Sequence, residues 1–267
     1  MADRTPEDDW TALLNGAIPG LRAFQWILRK LPSEPRCKLC YAPFGKPGSL
    51  LIRAFGGKPS PMNRRLCTWC IKSAHKHPGG AEVEISVMFA DVRGSTALAE
   101  QLPPGEFGQK LARFWGAAAK AVDRQDGLVD KFVGDEAVAL FIPGFAGKDH
   151  AARAIATARD LLAATGHEDG NPWIPVGIGI HTGLSYVGYI GEGDALDFTA
   201  VGDTVNTAAR LTSMAGIGEI LISDASAQAA GLDTSGLEQR TLELRGREQA
   251  VEAWVQPAMS SVETTAA

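Results

Sequence analysis

The sequence lacks several features that would assign it to a membrane-spanning or secreted class. No run of 18 apolar residues occurs in its 267 positions, so it predicts no transmembrane helix. The first residues, MADRTPEDDW, have neither the basic region nor the apolar region of a secretory signal peptide. These absences predict a cytoplasmic protein of bacterial type, in which thiols stay reduced.

Acidic residues are scarce at the beginning of the chain and abundant in the rest. Residues 1–80 carry 13 Lys and Arg against 5 Asp and Glu, a balance of +8, whereas residues 81–267 carry 13 against 26, a balance of −13. The total charge of −5 therefore conceals two modules of opposite sign, joined by a polar Pro/Gly linker at 75–80. The predicted divisions are a helical segment at 1–31, a basic module with its linker at 32–80, a main domain at 81–257 and a disordered tail at 258–267.

A carboxylate ends the first predicted strand of the main domain. In ISVMFADVRGST, residues 85–96, Ile85, Val87 and Phe89 alternate with smaller residues, which indicates a strand buried on at least one face. The strand reaches Asp91, and a Gly-containing turn follows. A carboxylate in this position can hold Mg²⁺ while backbone N–H groups of the turn bind phosphates. Taken alone, a motif of this kind more often holds an aspartate that only terminates the strand.

A second carboxylate lies at the tip of a predicted β-hairpin. In GLVDKFVGDEAVALFIP, residues 127–143, two apolar runs flank Gly134-Asp135, a pair typical of tight hairpin turns. Asp135 beside Asp91 would form a two-carboxylate site of the kind that binds two metal ions in phosphoryl transfer. Lys131 is also unusual, because a lysine within an apolar strand needs a partner for its ammonium group.

An amide and a guanidinium are spaced to share one helix face. In TAVGDTVNTAAR, residues 199–210, Asn206 and Arg210 stand four residues apart, and residues i and i+4 are neighbours on a helix. Gly202 and Asp203 supply the preceding turn and N-cap. Such a pair suits a ribose or a polyphosphate, because Arg binds phosphate oxygens in a fork.

Together, these motifs resemble the catalytic domain of the class III adenylate and guanylate cyclases. The resemblance runs from residue 83 to about 255 and rests on FADVRGST, the Lys131 to Asp135 hairpin, IPVGIGIHTGLSYVGYIG at 174–191, DFTAVGDTVNTAARL at 197–211 and LRGR at 244–247. It implies an α+β fold, a ferredoxin-like palm with a βαββαβ core and extra strands. It also implies a homodimer in which each active site is shared between two chains.

The resemblance further implies a role for each matching residue of this sequence. The groups implied to bind two Mg²⁺ or Mn²⁺ ions per site are Asp91, the carbonyl of Val92, and Asp135. The residues implied to contact the nucleotide are Gly94, Ser95, Thr96, Lys131, Thr199 and Arg247. The pair implied to act on the transition state is Asn206 and Arg210.

Two positions predict which nucleotide is used. Lys131 can donate to N1 of adenine, whereas guanine carries a hydrogen at N1 and would repel a donor. Thr199 stands where Asp is common in adenylate cyclases of this family, and its hydroxyl can still serve the N6 amino group. We therefore predict an adenylate cyclase that converts ATP to 3′,5′-cyclic AMP and pyrophosphate by two-metal catalysis. The alternatives are a guanylate cyclase and a catalytically silent domain whose basic module has a binding or regulatory role.

All four cysteines lie in the basic module, as two Cys-x2-Cys pairs. Cys37 and Cys40 form the first pair, Cys67 and Cys70 form the second, and 26 residues separate the pairs. Each pair places two thiolates on one tight turn, so two pairs can complete a tetrahedral site, for which we predict a structural Zn²⁺ ion. An iron–sulfur cluster and a dithiol redox switch are the alternatives.

The N-terminal segment WTALLNGAIPGLRAFQWILRKLP, residues 10–32, has apolar residues near helical spacing. We interpret it as an amphipathic helix that packs on its own protein, and its basic residues make membrane-surface contact the less favoured alternative. The opposite charges of the two modules predict that the basic module docks on the catalytic domains and regulates them, so no nucleic-acid partner is expected.

Overall fold

The computed structural model describes residues 5–17, 21–31, 35–60, 66–70, 72, 79–192, 197–243 and 250–258. Positions 75–78 of the predicted linker and 259–267 of the predicted tail lie outside these ranges. The chain divides into two compact units. The first comprises residues 1–83, 143–147 and 186–200, and the second comprises residues 84–142, 148–185 and 201–267. The first unit therefore combines the N-terminal residues with two short stretches from the middle of the chain.

The described helices and strands are numbered along the chain. The helices are α1 (Pro6–Leu14), α2 (Leu21–Arg29), α3 (Gly48–Ala54), α4 (Ser95–Gln101), α5 (Pro104–Arg124), α6 (Pro143–Ala146), α7 (His150–Ala164), α8 (Asp203–Met214) and α9 (Asp224–Ala230). The strands are β1 (Gly80–Val92), β2 (Leu128–Val133), β3 (Glu136–Phe141), β4 (Val176–Ile190), β5 (Asp197–Val201), β6 (Glu219–Ser223), β7 (Glu238–Leu242) and β8 (Val251–Pro257). Within the described ranges, no helix combines the length and the apolar character that crossing a bilayer requires.

The strands form one mixed sheet of eight strands. Seven follow the order β2-β3-β1-β4-β6-β8-β7, and β5 pairs with β4 outside this path. β1 and β2 both run antiparallel to β3, β4 runs parallel to β6, and β8 lies antiparallel between β6 and β7. This architecture confirms the predicted α+β fold, a palm with extra strands.

The apolar patterns of the main domain predict a strand at 83–90, a helix near 104–125, a hairpin at 128–142, a helix at 149–165, strands at 174–190, a helix at 203–214, a strand at 219–223 and a last pair of strands near 241–255. Most of these elements are confirmed. The helix at 203–214 and the strand at 219–223 have the predicted bounds, and the hairpin and α5 agree with prediction to within one residue. The predicted strands at 174–190 form the single strand β4, and the first strand begins at Gly80 rather than at residue 83. Glycine allows this extension, because a Cβ atom on Gly80 would lie 2.3 Å from the carbonyl oxygen of Val187.

Four short elements were not predicted from the sequence: α3, α6, β5 and α9. Each has four to seven residues, too few for a clear apolar period. Short helices are marginal in water, and they form here because tertiary contacts stabilise them. The segment between the two cysteine pairs was expected to loop out, yet it contains α3.

The helix that carries Asn206 and Arg210 is held close to the sheet by a glycine. A Cβ atom on Gly179 of β4 would lie 2.3 Å from the backbone nitrogen of Thr212, so only glycine permits this approach. The hydroxyl of Thr212 donates to the carbonyl oxygen of Phe89 on β1 at 3.3 Å. α8 is therefore fixed against two central strands, β4 and β1, and Asp91 is the penultimate residue of β1.

Candidate active site and four-cysteine site

The structure brings Asp91 and Asp135 together. Antiparallel pairing of β1 with β3 sets Asp91 opposite Glu136, so the hairpin turn that carries Asp135 lies at the end of β1. Gly134 provides the tight turn with a φ of 58°. The N–H of Val92 donates to the carbonyl oxygen of Asp135 at 3.3 Å, and the carboxylate of Asp135 lies near enough to raise the pKa of Asp91.

Arg93 belongs to this cluster although it was not predicted as a site residue. Its guanidinium forms a salt bridge with Asp91 and donates to the carbonyl oxygen of Ser213, at the end of α8, at 3.3 Å. Its buried Nε has no hydrogen-bond partner among the described residues. The sequence does indicate that Arg93 could lie near the Asp91 carboxylate, because Arg93 follows Asp91 by two residues in FADVRGST.

Burial raises the pKa values of two carboxylates here. The pKa of Asp91 is raised to about 6, mainly because burial disfavours its charged form; Arg93 opposes this shift and Asp135 adds to it. Glu136, also absent from the prediction, has a raised pKa because of burial and then because of Asp135. Three carboxylates therefore lie around one guanidinium, which leaves an excess of negative charge.

The donor set of this cluster suits a divalent cation. Carboxylate and carbonyl oxygens are hard ligands of the kind that Mg²⁺ and Mn²⁺ prefer. The close approach of Asp91 and Asp135 is costly for two like charges unless a cation lies between or beside them. The residues present therefore fit the predicted metal ions.

The turn after β1 has the predicted form. Val92 is buried, Gly94 has a φ of 67°, and α4 begins at Ser95. The first N–H groups of a helix have no acceptor within the helix. The turn that includes Gly94, Ser95 and Thr96 therefore offers donors three to five residues after Asp91.

Lys131 lies on β2, next to a bulge in the pairing with β3. The register shifts between Val129 and Lys131, and the Lys131 ammonium lies 3.2 Å from a carboxylate oxygen of the buried Asp130. This salt bridge supplies a partner for the lysine in the apolar strand. The Lys131 side chain is 43% exposed, so it is also accessible to a ligand.

Asn206 and Arg210 lie on α8 at the predicted helical spacing. Asn206 is exposed and Arg210 is half-buried. Thr204 anchors the first turn of the helix, because its hydroxyl donates to the carbonyl oxygen of Leu184 at 2.6 Å. Among the described residues, no hydrogen bond or salt bridge joins the side chains of Asn206 or Arg210 to Asp91 or Asp135.

The remaining predicted nucleotide-contacting residues are Thr199 and Arg247. Thr199 is on β5, in the first unit, and is buried. Arg247 lies outside the described residues.

The four cysteines of the first unit converge on one point. Their sulfur atoms all lie within 4.8 Å of one another, with separations of 3.5 Å for Cys67 and Cys70, 3.6 Å for Cys40 and Cys67, and 3.8 Å for Cys37 and Cys70. The N–H of Cys67 donates to the sulfur of Cys37 at 3.3 Å. Four sulfurs at the corners of a tetrahedron about 2.3 Å from its centre are about 3.8 Å apart. The cluster therefore has the size of a site for one metal ion, and none of the four sulfurs is in a disulfide.

Tyr189, at the end of β4 in the same unit, has a pKa that is raised to about 12, mainly because burial disfavours its charged form.

Comparison with known proteins identifies the family. Residues 80–256 match the family described as the adenylate and guanylate cyclase catalytic domain. An uncharacterized protein of Mycobacterium tuberculosis is 34% identical over 182 residues, which cover 65% of this chain and 32% of that protein. An adenylate cyclase of Anabaena cylindrica is 34% identical over 135 residues, which cover 49% of this chain and 27% of that protein. The chain thus spans about a third of the length of these relatives, or less.

Solved structures show the same architecture. The structure of the guanylyl cyclase Cya2 matches this chain with a TM-score of 0.61 and 31% sequence identity, over 66% of this chain and 93% of Cya2. The structure of the adenylyl cyclase CyaB from P. aeruginosa matches with a TM-score of 0.57 and 26% identity, over 65% of this chain and 93% of CyaB.

The raised pKa of Asp91 predicts that the affinity of the protein for divalent metal ions decreases as the pH is lowered. Protonation removes the charge of this ligand, so the apparent Kd for Mn²⁺ should rise about tenfold for each pH unit below about 6. Titrating Mn²⁺ into the full-length protein at about pH 7.5 and about pH 5, with the free ion measured by electron paramagnetic resonance, tests this. Asp91→Asn is the control and should bind weakly at both pH values. Equal affinity of the unmodified protein at the two pH values would contradict the prediction.

Proposed function

The chain belongs to the class III adenylate and guanylate cyclase family, and we propose that it converts ATP to 3′,5′-cyclic AMP and pyrophosphate. The observation that carries this proposal is the meeting of Asp91 and Asp135 at the end of β1. Family membership alone supports a nucleotide cyclase. The choice of ATP over GTP rests on individual residues.

Lys131 is the main reason to propose ATP. Its ammonium only donates hydrogen bonds, and adenine presents an acceptor at N1 where guanine presents a donor. The named relatives do not separate the two nucleotides, because one is an adenylate cyclase of 34% identity and another is a guanylyl cyclase of 31% identity. The Thr199 hydroxyl would accept a hydrogen bond from the N6 amino group of adenine while Lys131 donates to N1, so the two residues together favour ATP.

Asp91, Asp135 and the carbonyl of Val92 are the groups that we propose to hold two Mg²⁺ or Mn²⁺ ions. When bound, these ions favour ionisation of the ribose 3′-hydroxyl and neutralise charge on the triphosphate. Arg93 would compete with the metal ions for Asp91, because its guanidinium already pairs with that carboxylate. Release of Asp91 from this pair would leave a cation beside the incoming phosphates.

The remaining residues would bind and orient the nucleotide. The N–H groups of the turn at 94–96 would bind phosphate oxygens, since the first turn of a helix offers free donors. Arg210 would meet charge that develops on the phosphates, and Asn206 would hold the ribose, because the two side chains share one helix face. Arg247 would add a further cation to the phosphates.

We propose that each active site is shared between two chains. Asn206 and Arg210 make no hydrogen bond or salt bridge to the carboxylates of their own chain among the described residues, which leaves them available for a partner's site. A two-fold dimer would then carry two equivalent sites, with Asp91 and Asp135 from one chain. The partner chain would supply Lys131, Thr199, Asn206, Arg210 and Arg247. Large apolar side chains of the second unit that such a dimer could cover are exposed: Phe132, Val133, Leu184, Val201, Met214 and Ile217.

For the four-cysteine site, we propose one structural Zn²⁺ ion. A four-iron cluster bonds each cysteine to a different iron atom, and this arrangement would spread the sulfurs further apart than the limit of 4.8 Å seen here. Four thiolates around one ion match the ligand preference and the coordination number of structural zinc. The small module around the cysteines would depend on this ion for its folding.

Complementation between two inactive variants tests the shared active site. Asp91→Ala and Asn206→Ala should each abolish cyclic AMP production, because each removes a different half of both sites in the dimer. Mixing equal amounts should restore about a quarter of the unmodified activity, since half of the dimers are hybrids with one intact site of two. Asp169→Ala, at an exposed acidic residue outside the site, is the control and should retain activity. Full activity in Asp91→Ala would refute the assignment, and no recovery in verified hybrids would place the whole site within one chain.

Metal analysis of the full-length protein tests the cysteine site. We expect one Zn²⁺ per chain by elemental mass spectrometry, and four thiols that react with a thiol reagent only after chelation. Cys37→Ser with Cys40→Ser should lose the zinc, whereas Asp91→Ala should keep it. Stoichiometric iron, or disulfides in protein purified under reducing conditions, would contradict the proposal.

A further inference from the structure

The N-terminal helix is built into the first unit. α1 begins at a capping box, in which the N–H of Asp8 donates to the Thr5 hydroxyl at 3.2 Å and the N–H of Thr5 donates to the Asp8 carboxylate at 2.9 Å. Trp10 and Leu14 are 5% and 0% exposed. Such burial is typical of core residues, whereas a helix that did not pack on the rest of the unit would leave these apolar side chains exposed to water.

Backbone contact fixes the end of this helix. A Cβ atom on Gly144 of α6 would lie 2.4 Å from the carbonyl oxygen of Leu13 and 2.8 Å from that of Leu14. In the opposite direction, a Cβ atom on Gly16 would lie 3.3 Å from Cα of Gly144. The chain after α1 therefore lies directly on α6, with no room for a side chain between them.

Trp10 packs into a cluster of aromatic rings. Its ring centroid is 6.4 Å from that of Phe198, with an interplanar angle of 26°, and 6.0 Å from that of Tyr189. Phe198 also meets Tyr189 at 5.4 Å and Phe145 at 6.3 Å. Phe198 therefore contacts three other aromatic side chains, one of which comes from the N-terminal helix.

Phe198 anchors the strand that carries Thr199. β5 has only five residues, and it pairs with β4 alone, outside the main path of the sheet. A short edge strand of this kind depends on side-chain packing for its position. Successive side chains of a strand point to opposite faces, so Phe198 in the aromatic cluster directs Thr199 to the other face of β5.

We propose that Trp10 is a positioning residue for purine recognition: by packing on Phe198, the N-terminal helix holds β5 so that Thr199 is presented to the base. This inference rests on the proposed role of Thr199 in reading the purine. It assigns to a residue far upstream of the catalytic domain an effect on which nucleotide is used. Trp10 itself touches no substrate.

The test compares variants of the full-length protein by hydrogen exchange and by kinetics. Trp10→Ala should raise amide exchange in residues 197–201 by about tenfold or more, and it should leave β6 unchanged. It should also raise KM for ATP and lower the preference for ATP over GTP by about threefold or more, with a smaller effect on kcat. Trp26→Ala is the matched control, because Trp26 is also in an N-terminal helix but is 60% exposed, and it should change neither measurement.

A second variant keeps the proposal testable if loss of the buried indole unfolds the protein. Gly144→Ala pushes α1 away from α6 while every aromatic ring is retained, and it should produce the same direction of change in 197–201. Trp10→Phe should restore most of the protection and selectivity. Thr199→Ala shows separately whether the base is read at that position.

The outcomes separate this inference from the proposed function. Unchanged exchange at 197–201 in folded Trp10→Ala and Gly144→Ala overturns the positioning role of Trp10. Raised exchange with unchanged KM and selectivity, while Thr199→Ala does lower selectivity, overturns the link from Trp10 to purine recognition. If Thr199→Ala has no effect on selectivity, the proposed base-reading role fails, and the exchange result still decides whether Trp10 holds β5.

Discussion

Antiparallel pairing of β1 with β3 is the constraint on which the candidate active site depends. It sets Asp91 opposite Glu136 and carries the turn with Asp135 to the end of β1. Both strands are largely buried, so a shift of one residue in register would expose their apolar side chains and turn Asp91 to the opposite face. The same burial raises the pKa of Asp91, and the three carboxylates around Arg93 leave an excess of negative charge. The apolar core thus determines both the geometry and the charge of the site.

The sequence predicted the parts of this arrangement that are encoded locally. The hairpin follows from Gly134-Asp135 between two apolar runs, and the shared helix face of Asn206 and Arg210 follows from their spacing. The partners of Arg93 and Lys131 could not be predicted with the same certainty, because a salt bridge depends on side-chain packing after the strands have paired. β5 and α3 were missed for a related reason. They are too short for a periodic signal and are stabilised by residues far away in the chain.

The buried packing of the N-terminal residues could not be predicted from the composition of the sequence. The sign of the charge changes at about residue 80, which predicts a boundary there. The family match begins at residue 80. The first compact unit joins residues 1–83 with 143–147 and 186–200, and the aromatic cluster around Phe198 includes a ring from each of these three stretches. Charge and linker composition report on surfaces, whereas a buried contact such as that between Trp10 and Phe198 has no local sequence signature. The four-cysteine site differs in this respect, because the two Cys-x2-Cys pairs already predict that four sulfur atoms converge.

Cyclisation of ATP by the purified full-length protein is the reaction to measure, with ATP and GTP assayed side by side in the presence of Mg²⁺ or Mn²⁺. We predict that cyclic AMP forms and that kcat/KM for ATP exceeds that for GTP by about tenfold or more, because Lys131 matches the N1 acceptor of adenine and opposes the N1 donor of guanine. Cyclic GMP formed with equal or greater efficiency would contradict the assignment of ATP. Absence of both cyclic nucleotides would contradict the assignment of cyclase activity to this chain.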